Sequence, residues 1–398
     1  MKEAFIIDAV RTPIGKYGGS LCNVRPDDLA AIVIKAIIDR NPELDVKEIE
    51  DVIFGAANQA GEDNRNVARM ALLIAGLPIE IGGVTVNRLC ASGLQAIMDA
   101  ARALKCGDGN AYIAGGVESM SRAPFVMAKA ASAFSRVPEM YDTTIGWRFT
   151  NPKLAEMYAP VSMGETAENV AEKWKISREE QDRFSHETQL KYQKAHDENR
   201  FADEIVSVTV PVRKGDPIIV NKDEHPRLSS EEKLNSLRPA FKQGGTVTAG
   251  NASGINDGAA ALLLVNEEFL SKYEVKPMAK VRSMAIAGVD PFCMGIGPVP
   301  ATRKALKRAG IDIADLGLVE LNEAFAAQSV ACMNELDLNP EIVNVNGGSI
   351  ALGHPLGCSG ARISTTLLHE MKKRDVQFGL ATMCIGVGQG AAVIFEKV

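Results

Sequence analysis

The sequence repeats one order of motifs in its two ends, and this internal duplication constrains the fold more than any other feature. An apolar run at 52–55, followed by small and amide residues, reappears at 319–322. The segment 86–93 likewise parallels 345–361, where the second copy carries a short insertion. Matching order over so long a separation predicts two halves of similar structure. A chance likeness between small-residue strings is the alternative.

Within the repeated segments, short apolar runs alternate with amphipathic stretches, a pattern typical of α/β layers. The apolar run 258–265 predicts a buried strand that returns to the first half. The other elements predicted for the first half are strands over 5–10, 51–54, 83–86 and 111–115, and helices over 26–39, 64–75 and 91–104.

The middle of the chain has a different texture from the two ends. Residues 164–200 are charged and predict helices, and Ser177 with Glu180 predicts a capping box. Insertions of this size often carry binding functions. We therefore predict three parts: a first half of residues 1–120 completed by 251–275, an inserted loop domain of 121–250, and a second half of 276–398.

Composition and charge exclude several classes of protein. A net charge of −6 argues against nucleic acid or an anionic membrane as the main partner. The longest apolar runs are too short for a transmembrane helix. Seven cysteines without paired spacing disfavour a disulfide framework and a structural zinc site. Together with ends that carry no targeting pattern, they lead us to expect a cytoplasmic protein.

Cys90 is the first of four polar residues that each lie in a turn of small residues. It comes where a predicted strand gives way to a predicted helix. The dipole of that helix is expected to favour the thiolate, which makes Cys90 a candidate nucleophile. A buried core cysteine is the alternative.

His354 lies in the segment 346–362, which holds five glycines and one proline. Ordering so flexible a segment is costly, which favours a loop that presents the imidazole for catalysis. A neutral imidazole can take the proton of Cys90 and then donate a hydrogen bond to a thioester oxygen. The remaining histidines lie in polar stretches and are predicted to be at the surface: His186, His196, His225 and His369.

Cys384, Asn322 and Gly386 complete the set of candidate catalytic residues. A second thiol at Cys384 could move the proton of a thiol or of a substrate carbon. Zinc binding by Cys90, Cys384 and His354 is a competing hypothesis. Asn322 could donate to a developing oxyanion, directly or through water, or could only stabilise its own turn. Gly386 would let a backbone amide approach an acyl oxygen closely.

Taken together, these motifs resemble the thiolases, and the resemblance extends over nearly the whole chain. It implies a thiolase fold of five layers, α-β-α-β-α, built from two duplicated halves with an inserted loop domain. It also implies a homodimer or homotetramer and a ping-pong acyltransferase. Acyl-CoA and coenzyme A would be substrates, with no tightly bound cofactor and no metal.

The resemblance also implies roles for individual residues. Cys90 would carry the acyl group, His354 would activate it, and Cys384 would be the acid and base. Asn322, through a water, would form one oxyanion hole with His354, and the amides of Cys90 and Gly386 would form the other. Four further residues are implied in binding coenzyme A or the acyl chain: Ser253, Arg227, Met163 and Met294. For the two methionines, plain core packing is an equal alternative.

Three segments, 55–69, 120–127 and 141–149, resemble the subgroup of 3-oxoadipyl-CoA thiolases. Such substrates end in a carboxylate, which Arg65, Arg122 or Arg148 could bind. Two departures from the family motifs fit a degradative enzyme. Ser162 stands where acetoacetyl-forming thiolases often have histidine, and Val387 replaces a motif glycine. The alternatives within the family are a 3-ketoacyl-CoA thiolase of fatty-acid oxidation and an acetoacetyl-CoA thiolase. Decarboxylating ketoacyl synthases and a non-catalytic lipid carrier fit the four motifs less well.

Overall fold

A computed structural model describes residues 2–398 of the chain. The strands are β1 Phe5–Arg11, β2 Gly15–Lys16, β3 Ile49–Gly55, β4 Gly82–Val86, β5 Ala111–Ser119, β6 Phe125–Met127, β7 Met140–Asp142, β8 Val208–Val210, β9 Ile218–Val220, β10 Asn256–Val265, β11 Ala279–Gly288, β12 Leu318–Leu321, β13 Phe378–Ile385 and β14 Gln389–Glu396.

The helices alternate with these strands in both halves. They are α1 Pro26–Arg40, α2 Val67–Ile74, α3 Ser92–Cys106, α4 Pro152–Met157, α5 Met163–Trp174, α6 Arg178–Asp197, α7 Glu231–Asn235, α8 Glu267–Tyr273, α9 Pro298–Ala309, α10 Ala326–Leu336, α11 Ser349–Leu352 and α12 Leu356–Arg374. None of the helices described is both long enough and apolar enough to span a membrane.

Strand pairing repeats between the two halves. The first half has the order β4-β3-β5-β10-β1, in which β3 is parallel to β4 and β5, and β10 is antiparallel to both its neighbours. The second half has the order β12-β13-β14-β11 with the same change from parallel to antiparallel pairing. Among residues 2–398, the two sets of strands join where Phe5 and Ile6 pair with Lys280 and Ala279. This repeated pairing confirms the predicted duplication.

Helices cover both faces of each set of strands, which makes five layers. Side chains of α1 and α2 pack with β3, β5 and β10 in one core, and α9 and α10 pack with β11 to β14 in another. The helices α3 and α12 lie between the two sheets in a third, central core. Strand β10 is buried on both faces, which explains its unbroken apolar sequence.

Glycines allow the central helices to lie unusually close together. A Cβ added at Gly116 in β5 would lie 2.1 Å from the carbonyl oxygen of Gly357, and one at Gly360 would lie 2.3 Å from the amide nitrogen of Leu94. A side chain at Gly93 would meet the amide of Ala361 at 2.8 Å. The small-residue motifs after Cys90 and His354 therefore bring the beginnings of α3 and α12 into contact.

Local signals explain where several elements begin. The helix predicted from residue 64 begins at Val67, because the side chain of Asn66 accepts a hydrogen bond from the amide of Arg69 and caps it. The capping box predicted at Ser177 and Glu180 is present, and Ser162 with Glu165 forms another at the start of α5.

Two of the surface predictions for histidine were wrong. His369 is buried on α12, where its Nε2 lies 2.9 Å from the carbonyl oxygen of Ala9. His225 is buried against Gly254, where an added Cβ would lie 2.1 Å from the ring. The polar neighbours of His369 in sequence were misleading because α12 is packed between two sheets and is buried along most of its length.

Candidate active site

The turn that carries Cys90 is stabilised by the side chain of Ser92. Strand β4 ends at Val86, Leu89 adopts a left-handed φ of 48°, and α3 begins at Ser92. The hydroxyl of Ser92 accepts from the amide of Arg88 at 2.9 Å and donates to the carbonyl of Leu89 at 2.6 Å. Cys90 is thus held at the N-terminal end of α3.

The Cys90 thiol is not activated in the way the sequence predicts. Burial raises the pKa of this thiol to about 11, and the charge of Glu118 adds to the shift. The backbone amides of Gly386 and of Cys90 itself act on the sulfur and lower the pKa, but they do not outweigh burial. The expected effect of the helix dipole in favour of the thiolate is thus outweighed by burial: at rest the group is a thiol and needs a base.

Cys384 and Gly386 approach Cys90 from the second half. Cys384 lies near the end of β13 and is buried, with its sulfur 3.7 Å from Oε1 of Gln328. Burial first, and then the charge of Cys90, raise the pKa of the Cys384 thiol well above its ordinary value. The two thiols are therefore near enough for the charge of one to affect the ionisation of the other.

His354 is held in one orientation and in its neutral form. Its backbone amide donates to the side chain of Asn256 at 2.9 Å, and its Nδ1 lies 2.6 Å from the hydroxyl of Ser359. That hydroxyl donates to the carbonyl of Pro355, so Nδ1 carries the proton. Burial, aided by the charge of Arg362, lowers the pKa of His354 to about 3.

The second ring nitrogen of His354 is left as a proton acceptor. Nε2 is buried and has no hydrogen-bond partner among residues 2–398. An unpaired buried acceptor is costly in an ordinary core and is typical of a functional site. The arrangement suits a general base for a neighbouring thiol.

The side-chain amide of Asn322 faces the imidazole. Its Nδ2 lies 3.5 Å from Nδ1 of His354, and its Oδ1 accepts from the hydroxyl of Ser349 at 2.6 Å. Ser349 in turn accepts from Nη2 of the buried Arg362 at 2.8 Å. This chain of hydrogen bonds sets the orientation of the amide and leaves its N–H groups available.

The residues that hold this arrangement were not predicted from the sequence. Ser349, Ser359 and Arg362 lie in the segment that presents His354, and their polar side chains among glycines and apolar residues were an available signal. Glu118 had no such signal. Its buried carboxylate accepts from the amides of Ala57, Asn58 and Gly357, and burial raises its pKa to about 7.

The structure places the two methionines in one cluster with Cys384. Met163 and Met294 belong to one apolar cluster with Cys384 and Phe325. A Cβ added at Gly386 would lie 3.7 Å from the sulfur of Met163. This position suits the lining of an acyl site.

The two residues predicted to bind coenzyme A lie near one loop. The amide of Ser253 donates to the carbonyl of Ala324 at 3.0 Å, two residues beyond Asn322. Arg227 is exposed and donates to the carbonyl of Ala249 at 2.5 Å. Ser253 thus lies beside the catalytic turn and Arg227 farther out.

A narrow apolar pocket lies beside the turn that carries Gly386. It is lined by residues that include Trp147, Met163, Phe292 and Val387. Val387 has a left-handed φ of 61°, which is a rare conformation for a β-branched residue and indicates local strain. It directly follows Gly386, so the strained turn holds that amide beside the pocket.

The residues described form no cluster typical of a metal centre. Across residues 2–398, no group of three His, Cys, Asp or Glu side chains is arranged to hold a metal ion. The competing zinc hypothesis for Cys90, Cys384 and His354 therefore has no geometric support.

Comparison with known families agrees with this geometry. Residues 4–268 match the thiolase N-terminal domain, and residues 275–397 match the thiolase C-terminal domain. The chain belongs to the thiolase family. Like other members it is an acyltransferase, and the predicted fold class is confirmed.

Similar thiolases match the chain from end to end. A protein of Escherichia coli named 3-oxoadipyl-CoA/3-oxo-5,6-dehydrosuberyl-CoA thiolase is 57% identical and covers 100% of both chains. A beta-ketoadipyl-CoA thiolase of Pseudomonas aeruginosa is 56% identical with the same coverage.

Solved structures of the family superpose closely on this thiolase. The acetyl-CoA acetyltransferase of Bacillus anthracis has a TM-score of 0.94 and 42% identity, covering 100% of this chain and 99% of that one. The human mitochondrial 3-ketoacyl-CoA thiolase in complex with CoA has a TM-score of 0.92 and 38% identity, covering 100% and 98%.

Proposed function

We propose that this thiolase cleaves 3-oxoadipyl-CoA with coenzyme A to form succinyl-CoA and acetyl-CoA. The observation that carries the substrate is the end-to-end identity of 57% to a relative named for it. The solved acetyl-CoA acetyltransferase and 3-ketoacyl-CoA thiolase are less similar, at 42% and 39%. The retained Cys90, His354, Cys384 and Asn322 support the chemistry.

In the first half-reaction, Nε2 of His354 takes the proton of Cys90 as the sulfur attacks the keto carbon. The amides of Cys90 and Gly386 donate to the resulting oxyanion. The bond to the α-carbon then breaks, and its electron pair stays with the α-carbon, which takes a proton from Cys384. Acetyl-CoA leaves, and a succinyl thioester remains on Cys90.

In the second half-reaction, the thiol of coenzyme A gives its proton to the Cys384 thiolate and attacks the acyl carbonyl. The Cys90 sulfur leaves and recovers its proton from His354. Succinyl-CoA departs, and every group returns to its starting state. A water held by Asn322, together with His354, donates hydrogen bonds to the thioester oxygen of the acetyl-CoA portion. These steps describe a ping-pong enzyme.

The family resemblance, together with the positions described above, supports binding roles for four residues. Ser253, beside the catalytic turn, contacts the pantetheine arm, and Arg227 meets the nucleotide end of coenzyme A. Met163 and Met294 line the acyl site. Coenzyme A is a substrate, and we propose no tightly bound cofactor.

We also propose a homo-oligomer, a dimer or a tetramer, that works in the cytoplasm. All seven cysteines are unpaired, which fits a reducing compartment.

The test is steady-state thiolysis of 3-oxoadipyl-CoA, acetoacetyl-CoA and a long 3-ketoacyl-CoA by the purified enzyme. We expect kcat/KM to be highest for 3-oxoadipyl-CoA. A higher value for acetoacetyl-CoA or for the long chain would reject the proposed substrate in favour of the corresponding alternative.

A further inference from the structure

The proposed substrate ends in a carboxylate. The structure distinguishes the three arginines that the sequence suggests as its binding partner. Arg122 is already paired. Its Nε and Nη2 donate to both oxygens of Glu62 at 2.5 and 2.6 Å, and its Nη1 donates to the carbonyl of Cys22 at 3.2 Å. A guanidinium satisfied in this bidentate way has little to offer a substrate.

Arg65 is available but poorly placed. It lies at an exposed position in a turn, with a left-handed φ of 62°. An ion pair formed at an exposed site is screened by water and contributes little free energy.

Arg148 is half-buried and forms only long contacts. Its Nη2 lies 3.3 Å from Oδ1 of Asn58 and 3.5 Å from the carbonyl oxygen of the same residue. Charge-assisted hydrogen bonds are typically shorter, about 2.7–2.9 Å. Among residues 2–398, no carboxylate forms a salt bridge with Arg148. Its remaining donors are therefore free for a ligand.

The surroundings of Arg148 connect the acyl pocket to the nucleophile turn. On one side, the preceding Trp147 lines the apolar pocket, with its indole N–H bonded to the carbonyl of Val161 at 3.0 Å. On the other side, Asn58 follows Ala57, whose carbonyl accepts from the side chain of Asn87 at 2.9 Å. Asn87 lies in the turn that leads to Cys90.

The backbone on both sides of Arg148 adopts unusual conformations. Gly146 and Phe149, on either side of the Trp147–Arg148 pair, both have a left-handed φ, 87° and 49°. Such a conformation is unfavourable for phenylalanine and is usually retained where a side chain must be directed. Glu118 is the carboxylate that bonds to the backbone of Asn58. It already accepts hydrogen bonds from three backbone amides, so it is not a partner for Arg148.

We propose that Arg148 is a specificity-determining residue that binds the terminal carboxylate of the acyl chain. This inference rests on the proposed function. Two N–H donors of the guanidinium would face the two carboxylate oxygens of the substrate and of the succinyl group on Cys90. Partial burial strengthens such a pair relative to one at the surface. An uncharged chain of equal length would leave the guanidinium unpaired.

The experiment compares 3-oxoadipyl-CoA with 3-oxohexanoyl-CoA, which has the same six-carbon chain but ends in a methyl group. The ratio of their kcat/KM values is measured for the wild type, Arg148→Gln and Arg148→Lys. We expect Arg148→Gln to lower the ratio by roughly 10- to 100-fold, because charge-assisted hydrogen bonds are lost. Arg148→Lys should give an intermediate ratio, since an ammonium cannot form the bidentate pair.

Arg65→Gln and Arg122→Gln are matched controls that remove the same charge elsewhere, and both should keep the wild-type ratio. A wild type that prefers 3-oxoadipyl-CoA, with an unchanged ratio in Arg148→Gln, would overturn the role of Arg148 alone. A wild type without that preference would overturn the proposed function instead. Should Arg148→Gln fail to fold, an unchanged ratio in Arg148→Lys overturns the inference, and a lowered one supports it.

Discussion

At the scale of single residues, the site holds its two reacting groups uncharged. Burial keeps the pKa of Cys90 near 11 and that of His354 near 3, so proton transfer between them is strongly uphill at rest. Attack must therefore be coupled to stabilisation of the oxyanion by the amides of Cys90 and Gly386. This feature protects the thiol from oxidation in the absence of substrate, because the thiolate is the reactive form.

Removing each of the two thiols should affect a different step of the reaction. Cys90→Ala should abolish acylation, because the acceptor atom is gone. Cys384→Ala should still form some acyl-enzyme on Cys90 but lose turnover, because no group protonates the leaving carbon. Mass measurement of the peptides after incubation with acetyl-CoA, together with steady-state rates, checks both. Full turnover by Cys384→Ala would contradict the role assigned to it.

Neutral His354 should make the enzyme sensitive to acid. Its folded pKa, about 3, lies below its ordinary value of 6.5, so its contribution to stability is present above pH 6.5 and is lost as pH falls toward 3. The free energy of unfolding should fall by about 1 kcal/mol per pH unit more in the wild type than in His354→Gln. Urea unfolding between about pH 6.5 and pH 4.5 measures this. Parallel pH curves for the two proteins would show that the imidazole titrates normally.

At the scale of elements, the sequence predicted the strands and turns that a local pattern of residues determines. The apolar run at 258–265 identified β10, and the motif glycines identified the turns at Cys90 and His354. Burial was not predictable in the same way. The acidity of Cys90 and the positions of His225 and His369 depend on segments far away in sequence. The polar residues that orient Asn322 had a local signal, but the segment alone does not show that they bond to Asn322.

The close approach of α12 to β5 should depend on Gly116. A Cβ there would lie 2.1 Å from a backbone oxygen at Gly357, which cannot move without shifting the start of α12. Gly116→Ala should cost about 1–3 kcal/mol in the free energy of unfolding and should also lower kcat. Denaturant unfolding and thiolysis rates measure the two effects.

Gly288→Ala is the matched control for that substitution. Gly288 also lies in a strand, but an added Cβ there would meet no atom closer than 3.9 Å. Its change in stability should stay within about 0.5 kcal/mol. Equal losses in the two variants would mean that loss of strand glycine, rather than helix contact, is responsible.

At the scale of the whole molecule, one buried ionic group joins all three parts of the chain. Arg11 in β1 donates to Glu204 at 2.6 Å and to both oxygens of Asp223 at 2.7 and 3.0 Å. Glu204 also accepts from the hydroxyl of Thr366 in α12, at 3.1 Å. The motif at Arg11 supported the family resemblance, but its carboxylate partners carry no local signal because they lie about 200 positions away.

Removing the guanidinium should therefore destabilise the whole fold. The side chains of Arg11 and its two partners are at most 1% exposed, so Arg11→Met would leave two buried carboxylates without a counter-charge, at a cost of about 3–5 kcal/mol. Lys35→Met removes a cation from an exposed pair, 60% and 57% exposed with Asp39, and should cost less than about 1 kcal/mol. Urea unfolding of both variants at neutral pH measures the difference. Similar small losses would mean that the buried group adds no more to stability than a surface pair, and that apolar packing alone holds the inserted segment against the two halves.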